Sequence, residues 1–521
     1  MIFKKSFALI LSVILIFTAL SGCNKSKEAY ILYMEFDSAP KTLDPQLASS
    51  IAEETVVKSL FEGLIRLDEN GKPVPAAAES FTVSNDELTY TFKLRGGMKW
   101  SNDDDVTAKD FVFGIERAAL KKTKSPYVSS LYSVVGVEEI SKGKIGTLGV
   151  KAVDEKTVEI KLKEKNPDFL KVLTTAPCMP CNKKAFEKAK GKYCLEKKYT
   201  VTNGSYYLKS WVNDGDFSLR VNKNSDYNGK FVSQANAVIF SVGEKSERAE
   251  KIKESNLDLG FIDYTEDESV ASTFSKTCYA LLINKNSDIG KSAFRKAIEG
   301  SIHRNAFKNE LPAGMCETNI LLPDVIQKNG VMLNSKGRLY SAEYNPTEAH
   351  NLYLSAVKQF GNPGEVNVLA VDDACSVAVA TLTAEGLQQA LGVFANVEKV
   401  ESVADLNEKI SVGDYKLAVV PVTAANFDAK DYLSLFCSDN PNNIYGISVD
   451  EFDSTVKNMN VYDDENATAA KAFYALERLA EDKSFIALAK SYEAFGVAEG
   501  YKIPKISPFG GVMDFSLIVK E

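Results

Sequence analysis

Histidine is almost absent from this chain: only two of its 521 residues, His303 and His350, are histidines. Histidine is the commonest general acid or base near neutral pH, so its scarcity argues against an acid–base enzyme. The metalloprotease, P-loop and serine-hydrolase signatures HExxH, GxxxxGKS/T and GxSxG are missing, and no GxGxxG follows a strand pattern. We therefore predict no enzymatic activity, no catalytic residue, no cofactor and no metal site.

Positive charge is also in deficit, because 62 lysines and arginines face 70 aspartates and glutamates, for a net charge of −8. Nucleic-acid-binding surfaces need a basic stripe, so we predict no nucleic-acid partner.

The run Asp103 to Asp105 lacks the alternating ligands, central glycine and closing glutamate of an EF-hand, and we interpret it as a solvated turn. A single core stops growing near roughly 250–300 residues, so the length predicts two or three domains.

Long hydrophobic runs are absent except for Phe7–Leu20, which is shorter than the roughly 20 residues of a membrane span. Lys4 and Lys5 precede it and small residues follow, as in a secretory signal. The sequence LSGC that ends at Cys23 resembles a bacterial lipobox, in which the cysteine receives a diacylglycerol and becomes the first mature residue. We predict that 1–22 is a signal peptide and that Cys23 anchors the protein to the extracellular face of the cytoplasmic membrane (the periplasmic side in a Gram-negative host). A plain secretory signal and an uncleaved anchor are the alternatives.

Seven further cysteines cannot all pair, and a chain of this length needs no disulfide framework. We interpret most of them as buried small apolar residues. The CMPC motif at 178–181 precedes a possible helix and allows a thiol-redox hypothesis, because a helix N-terminus lowers a thiol pKa. A structural loop, with or without a local disulfide, is the favoured interpretation, since no compact βαβ setting surrounds the motif.

Strand and helix patterns alternate throughout. LTYTFKL and TVEIKL have the two-residue period of strands, and KLAVVPV (416–422) predicts a buried strand. DVTAKDFVFGIERAAL predicts a helix with Thr107 as N-cap and Asp110 three residues later. KSAFRKAIEGSIHRNAF predicts a second helix, capped by Ser292. No low-complexity linker separates these segments, which favours domains that share chain crossings.

Several longer stretches carry a family resemblance. PKTLDP (40–45), LFEGLIRLDENGKPVPAAAESF and DELTYTFKLRGGMKWSNDDDVTAKDFVFGIERA (86–118) resemble the extracellular solute-binding proteins of family 5, the oligopeptide- and dipeptide-binding subunits of ABC importers. TNGSYYLKSW (202–211) and LLINKNSDIGKSAFRKAIEGSIHRNAF resemble later family motifs. The resemblance implies an α/β fold of the periplasmic-binding-protein type: a two-lobed clamshell with an extra domain, mixed sheets and a discontinuous lobe one.

The resemblance also implies a division of the chain into segments. After the signal peptide we expect lobe one over 23–65 and 195–284, the added domain over 66–194, lobe two over 285–488, and a return to lobe one over 489–521. Ligand is enclosed between the lobes of such a protein, and the closed form docks on a membrane permease that works with an ATPase. We expect a monomer whose ligand is a short peptide or a peptide-like solute.

Candidate ligand-binding residues follow from the same resemblance. Alignment of LFEGL places Ser49, Ser50 and Ile51 where the family pairs a strand-like backbone with a peptide. Ser125-Pro126-Tyr127 resembles a family motif whose tyrosine faces the cleft, and Tyr492 lies in the last crossing between the lobes. The candidates in the second lobe are Val422, Thr423, Ala425, Asn426 and Asp428.

The second-lobe segment departs from the family pattern. Peptide binders have an aspartate there that holds the α-ammonium of the peptide, and the alignment puts Ala425 at that position and Val422 at the position of a tryptophan. Asp428 replaces the aspartate only if the loop is shifted by a few residues. The scaffold therefore predicts the solute-binding subunit of an ABC importer. A receptor or adhesion lipoprotein with the same fold, or a binder of a non-peptide solute, is the alternative.

Overall fold

The computed structural model describes residues 30–212, 217–263, 270–328, 331–337, 344–424, 427–440, 443–460, 463–504, 506 and 514–521. The predicted signal peptide and Cys23 lie outside these ranges. The strands are β1 (Tyr30–Phe36), β2 (Ile65–Leu67), β3 (Pro73–Pro75), β4 (Ala78–Val83), β5 (Thr89–Leu94), β6 (Val150–Asp154), β7 (Thr157–Lys161), β8 (Tyr206–Val212), β9 (Ser218–Lys223), β10 (Ala235–Val242), β11 (Leu259–Ile262), β12 (Val270–Ile283), β13 (Met315–Glu317), β14 (Gln327–Lys328), β15 (Val331–Met332), β16 (Val368–Val371), β17 (Val397–Val400), β18 (Leu417–Thr423), β19 (Phe485–Val497), β20 (Tyr501–Lys502) and β21 (Val519–Lys520).

The helices are α1 (Ile51–Leu60), α2 (Ala108–Ala119), α3 (Val137–Ser141), α4 (Phe169–Val172), α5 (Lys183–Ala189), α6 (Lys245–Lys253), α7 (Ser292–Gly300), α8 (Arg304–Glu310), α9 (Pro346–Phe360), α10 (Ala374–Leu391), α11 (Val403–Val412), α12 (Ala429–Ser434), α13 (Asp450–Lys457) and α14 (Glu465–Asp482). Among the helices of the described ranges, none is long and apolar enough to cross a bilayer.

The largest sheet runs through both lobes in the order β17-β16-β18-β12-β19-β11-β1-β10-β9-β8, with β13 attached to β19. Its pairings are mixed, since β1 is parallel to β10 and β11 while β19 is antiparallel to β11 and β12. The first lobe is discontinuous in the chain, because β1 lies between strands that follow it by about 200 residues. The predicted two-lobed clamshell with mixed sheets is confirmed.

The long strands β12 and β19 connect the lobes. At their first-lobe ends β19 pairs with both β12 and β11, whereas from Thr277 onward β12 also pairs with β18 of the second lobe. The β12–β19 register shifts between Phe274 and Thr277. Phe274 packs against the core clusters of both lobes. This is one of three register shifts along the β12–β19 ladder, and each interrupts the ladder locally and favours bending of the strands.

The extra domain contains a separate four-stranded antiparallel sheet, β4-β5-β7-β6, whose apolar side chains alternate as the sequence predicts. Tyr90, Phe92 and Leu94 are buried along β5, and Val158 and Ile160 along β7. The segment boundaries stated above stay a prediction. This sheet lies within the 66–194 segment assigned to the added domain.

Helix α2 packs against this sheet and begins as its capping pattern predicts. The Thr107 N–H donates to Asp110 Oδ2 at 2.8 Å, and Phe111 and Ile115 are fully buried. The prediction of one helix over KSAFRKAIEGSIHRNAF is wrong, because α7 and α8 are separate helices with a break at 301–303. Ser292 is the first residue of α7 and not its N-cap, which is Lys291.

A buried ion pair joins the start of lobe one to α2. Arg117 donates to Asp44 through both terminal nitrogens, at 2.6 and 3.1 Å, and also to Gln46 Oε1 at 2.6 Å. Both charged side chains are at least 94% buried. Gln46 in turn donates to the carbonyl oxygen of Met179 at 3.0 Å, which ties three separate segments together.

Candidate functional site

The first-lobe candidates form the N-terminus of α1. Ser50 is the extended N-cap, and its hydroxyl accepts from the Glu53 N–H at 3.2 Å. The strand-like backbone expected at 49–51 is wrong for Ile51, which begins the helix, because this capping box stabilises a helical turn there. The N–H groups of Ser49 and Ser50 both donate to Glu53 Oε2, at 2.8 and 3.1 Å, so neither is available to a ligand in this conformation.

Tyr127 lies beside this helix terminus, although it is 78 residues away in the chain. Its hydroxyl donates to the carbonyl oxygen of Ser49 at 2.8 Å. Burial, with Glu54 and Glu53 nearby, raises the pKa of Tyr127 to about 12, so the hydroxyl stays protonated at neutral pH. The structure thus brings Tyr127, Ser49 and Ser50 together, and Ser49 is the exposed member of the group.

The second-lobe candidates lie at the end of β18, and they differ in exposure. Val422 is 2% exposed and packs into the second-lobe core, so its side chain offers no surface to a ligand. Thr423 is exposed, and its hydroxyl is 2.9 Å from that of Thr277 on β12. Asp428 is exposed and caps α12 by accepting from the Asp431 N–H at 2.9 Å. Ala425 and Asn426 lie outside the described residues.

Two residues that the sequence analysis missed link this segment to the segment assigned to the extra domain. Lys171, on α4, places its ammonium 6.0 Å from the centroid of the Phe427 ring. A cation over an aromatic face at this distance is attracted to the ring. No sequence signal connects the two residues, since 255 residues separate them. The contact places the second-lobe loop against the extra domain.

Tyr492 lies on β19 beside a charged pair. Lys490 Nζ is 2.6 Å from Asp324 Oδ1 and 5.2 Å from the centroid of the Tyr492 ring. Asn334 donates to the same carboxylate oxygen. Burial opposes the charge on Lys490, but the hydrogen bond to Asp324 outweighs it and raises the pKa of Lys490. Burial also raises the pKa of Tyr492 to about 12, so its phenol is neutral at physiological pH.

The CMPC motif is packed into the core that the first lobe shares with the extra domain. Cys178 and Cys181 are 2% and 0% exposed, and both are free thiols, as are the five other cysteines that the structure describes. Burial raises the pKa of Cys178 to about 12 and that of Cys181 to about 11. A reactive redox thiol needs a depressed pKa and access to its partner, so this geometry argues against the redox hypothesis.

We expect Cys178 and Cys181 to resist a thiol reagent in the folded protein. In a Cys23→Ser chain, the half-buried Cys316 and Cys375 should react first and slowly, and the others only after unfolding in urea. Time-resolved counting of thiols with Ellman's reagent measures this. The Cys178→Ser/Cys181→Ser variant should leave the native count unchanged, and a native count lower by two would restore the redox hypothesis.

Comparison with known proteins agrees with this architecture. The profile of the bacterial extracellular solute-binding proteins, family 5 Middle, matches residues 72–443. The periplasmic oligopeptide-binding protein OppA of Escherichia coli is 41% identical over 179 residues, 34% of this chain and 33% of that protein. That match spans a third of its length. The dipeptide-binding protein of Lactococcus lactis is 26% identical over 469 residues, 83% of this chain and 84% of that protein.

A solved structure extends the likeness to the whole fold. The substrate-binding domain of an oligopeptide ABC transporter from Bacillus anthracis superposes with a TM-score of 0.76 at 25% identity, covering 95% of this chain and 99% of that one. The profile match alone covers more than half of the sequence and includes strands of the extra domain and of both lobes. The chain belongs to the bacterial extracellular solute-binding proteins of family 5.

Proposed function

We propose that this protein is the lipid-anchored solute-binding subunit of an ABC importer, which captures peptides or peptide-like solutes between its lobes and delivers them to a membrane permease. The observation that carries the proposal is the family match over residues 72–443, which spans the extra domain, the β12 crossing and the second-lobe loop. The relatives named above are oligopeptide- and dipeptide-binding proteins. Cys23 provides the anchor that keeps the protein beside its permease.

Binding and closure follow from the two connecting strands. A ligand that contacts both lobes stabilises the closed state by the contacts it makes only there. Ile51 of the first lobe and Tyr127 of the extra domain supply one wall, Thr423 supplies the second-lobe wall, and Tyr492 lies on the strand between them. Since the Ser49 and Ser50 N–H groups are held by Glu53, the first lobe contributes side chains and carbonyl groups to the ligand.

The amino end of the ligand is the unusual feature of this proposal. Ala425 aligns with the family aspartate that holds a peptide ammonium, and the nearby Asp428 is the cap of α12. A buried ammonium without a carboxylate is costly. The site therefore takes solutes with a blocked or neutral amino end at least as well as free peptides.

Native mass spectrometry tests the proposal directly. The Cys23→Ser chain, purified from cells grown in rich medium, should carry bound solutes in the native spectrum. Masses that fragment as short or N-terminally modified peptides support the assignment. A bare protein that also ignores added peptide pools contradicts it and favours the receptor or adhesion alternative.

We expect Ala425→Asp to shift the preference towards free amino termini. A new ammonium–carboxylate hydrogen bond contributes about 1.5–3 kcal/mol, which is roughly a tenfold or greater gain for a free peptide over its N-acetylated form. Isothermal titration of matched free and acetylated peptides measures the ratio. The control Asp428→Asn removes the nearby charge but keeps a good N-cap for α12, and it should leave this ratio unchanged. An Ala425→Asp variant with the wild-type ratio would show that position 425 does not face the amino end.

A further inference from the structure

The extra-domain segment differs in charge from the rest of the chain. Residues 66–194 contain 23 lysines and arginines but 18 aspartates and glutamates, a net charge of +5 in a protein whose total is −8. Two loops, 120–124 and 142–145, concentrate this excess, because they hold all five lysines of residues 120–145, a stretch with only two glutamates. A local charge opposite in sign to that of the whole protein indicates a surface suited to an anionic partner.

The two loops touch and form one surface. The side chain of Lys121 covers Gly143, where an added Cβ would lie 2.8 Å from Lys121 Cδ. We define the Lys121 patch by its exposed members, which are Leu120, Lys121, Lys122, Lys124, Lys144 and Ile145. Within the part of the chain that the structure describes, its four lysines make no ion pair. Lys142, beside them, is paired with Glu138 at 2.7 Å.

The patch also presents apolar side chains to solvent. Ile145 is fully exposed, and Leu120 is 37% exposed. An aliphatic side chain held out between lysines gains nothing from water or from a soluble polyanion. Its transfer to the boundary between lipid head groups and acyl chains is favourable, and the lysines contact the anionic head groups at the same time.

We propose that the Lys121 patch binds the anionic surface of the membrane and orients the anchored protein upon it. This inference rests on the proposed lipid anchor for its setting, because only six residues, 24–29, lie between Cys23 and Tyr30. Fully extended, the seven steps from Cys23 to Tyr30 span at most about 25 Å, so the folded part stays near the bilayer. The acyl chains hold the protein at the membrane, and the patch determines which face meets it.

Vesicle sedimentation with the mature Cys23→Ser chain, which starts at residue 23 and so lacks both the signal peptide and the acyl chains, tests the patch by itself. We expect binding to phosphatidylcholine vesicles that contain roughly one third phosphatidylglycerol, weakening with salt, and no binding to pure phosphatidylcholine. Lys121→Gln/Lys144→Gln should lower the affinity about 30-fold. Ile145→Ser should lower it about fivefold. The matched control Lys188→Gln/Lys190→Gln removes the same charge from exposed positions of the extra domain and should change the affinity less than twofold.

Three results would overturn the inference. They are absence of binding to the anionic vesicles, equal losses in the patch and control variants, and full vesicle affinity in Ile145→Ser with tight binding to soluble polyphosphate. The last result would assign the lysines to an anionic polymer. Solute occupancy in the native mass spectrum is measured on the same preparations, so a failure of solute binding is distinguished from a failure of the patch.

Discussion

Replacing Asp44 by asparagine is expected to cost about 3–5 kcal/mol of unfolding free energy, because it leaves the buried guanidinium of Arg117 without its counter-charge. Asparagine keeps the size of the side chain and one oxygen acceptor, so lost packing contributes little. Urea unfolding of the Cys23→Ser chain, followed by far-UV circular dichroism, measures the change.

Two comparisons isolate the role of the charge. The double variant Asp44→Leu/Arg117→Met removes both charges and should recover most of the loss. The control Lys457→Gln breaks an ion pair with Asp439 at the surface, where the two side chains are 55% and 62% exposed. It should lower the free energy of unfolding by less than about 1 kcal/mol. A double variant as unstable as Asp44→Asn would mean that shape, and not charge, is what this site requires.

Gly114→Ala is expected to destabilise the protein by roughly 3 kcal/mol, although alanine is the better helix former. A Cβ at Gly114 would lie 2.2 Å from the carbonyl oxygen of Met179. That carbonyl is held in place by its hydrogen bond from Gln46, and the Cys181 N–H donates to the Asp110 carbonyl of the same helix at 3.0 Å. The backbone has little freedom to move away, so helix α2 itself must shift.

The matched control is Gly96→Ala, at an exposed glycine of the same domain where an added Cβ meets nothing within 4 Å. Its effect on the urea midpoint should be within about 0.5 kcal/mol. Equal effects of the two substitutions would contradict the steric explanation and point to glycine's influence on the unfolded chain.

The local sequence pattern was enough to predict the strands and helices in which buried residues recur at one regular spacing. β5 and β7 alternate between core and solvent, and α2 begins at the expected capping box, because neighbouring residues determine both features. The sequence pattern did not predict the break between α7 and α8. Its apolar stripe continues through Ile302, which is buried, so hydrophobic spacing reads as one helix where the backbone turns.

The candidate site was only partly predictable, for reasons of topology. The resemblance indicated Ser49 and Tyr127, and the structure joins them by one hydrogen bond. The side chain of Val422 is buried, because an alignment position does not determine which face of β18 a side chain occupies, and a role of Val422 in binding stays a prediction. The Lys171–Phe427 and Lys490–Asp324 contacts join residues far apart in the chain, and single-sequence periodicity contains no information about such pairs.

The distant pairing in the first lobe has a consequence for export. The Tyr30 hydroxyl donates to the Ile518 carbonyl, 488 residues later, and β1 is completed on both sides only by β10 and β11. A chain that emerges N-terminus first therefore presents β1 long before its partners are outside. Folding dominated by such distant contacts is slow. The same topology that builds the lobe keeps β1 unpaired, and the emerging polypeptide easy to thread, until about half of the chain has passed through a translocation channel.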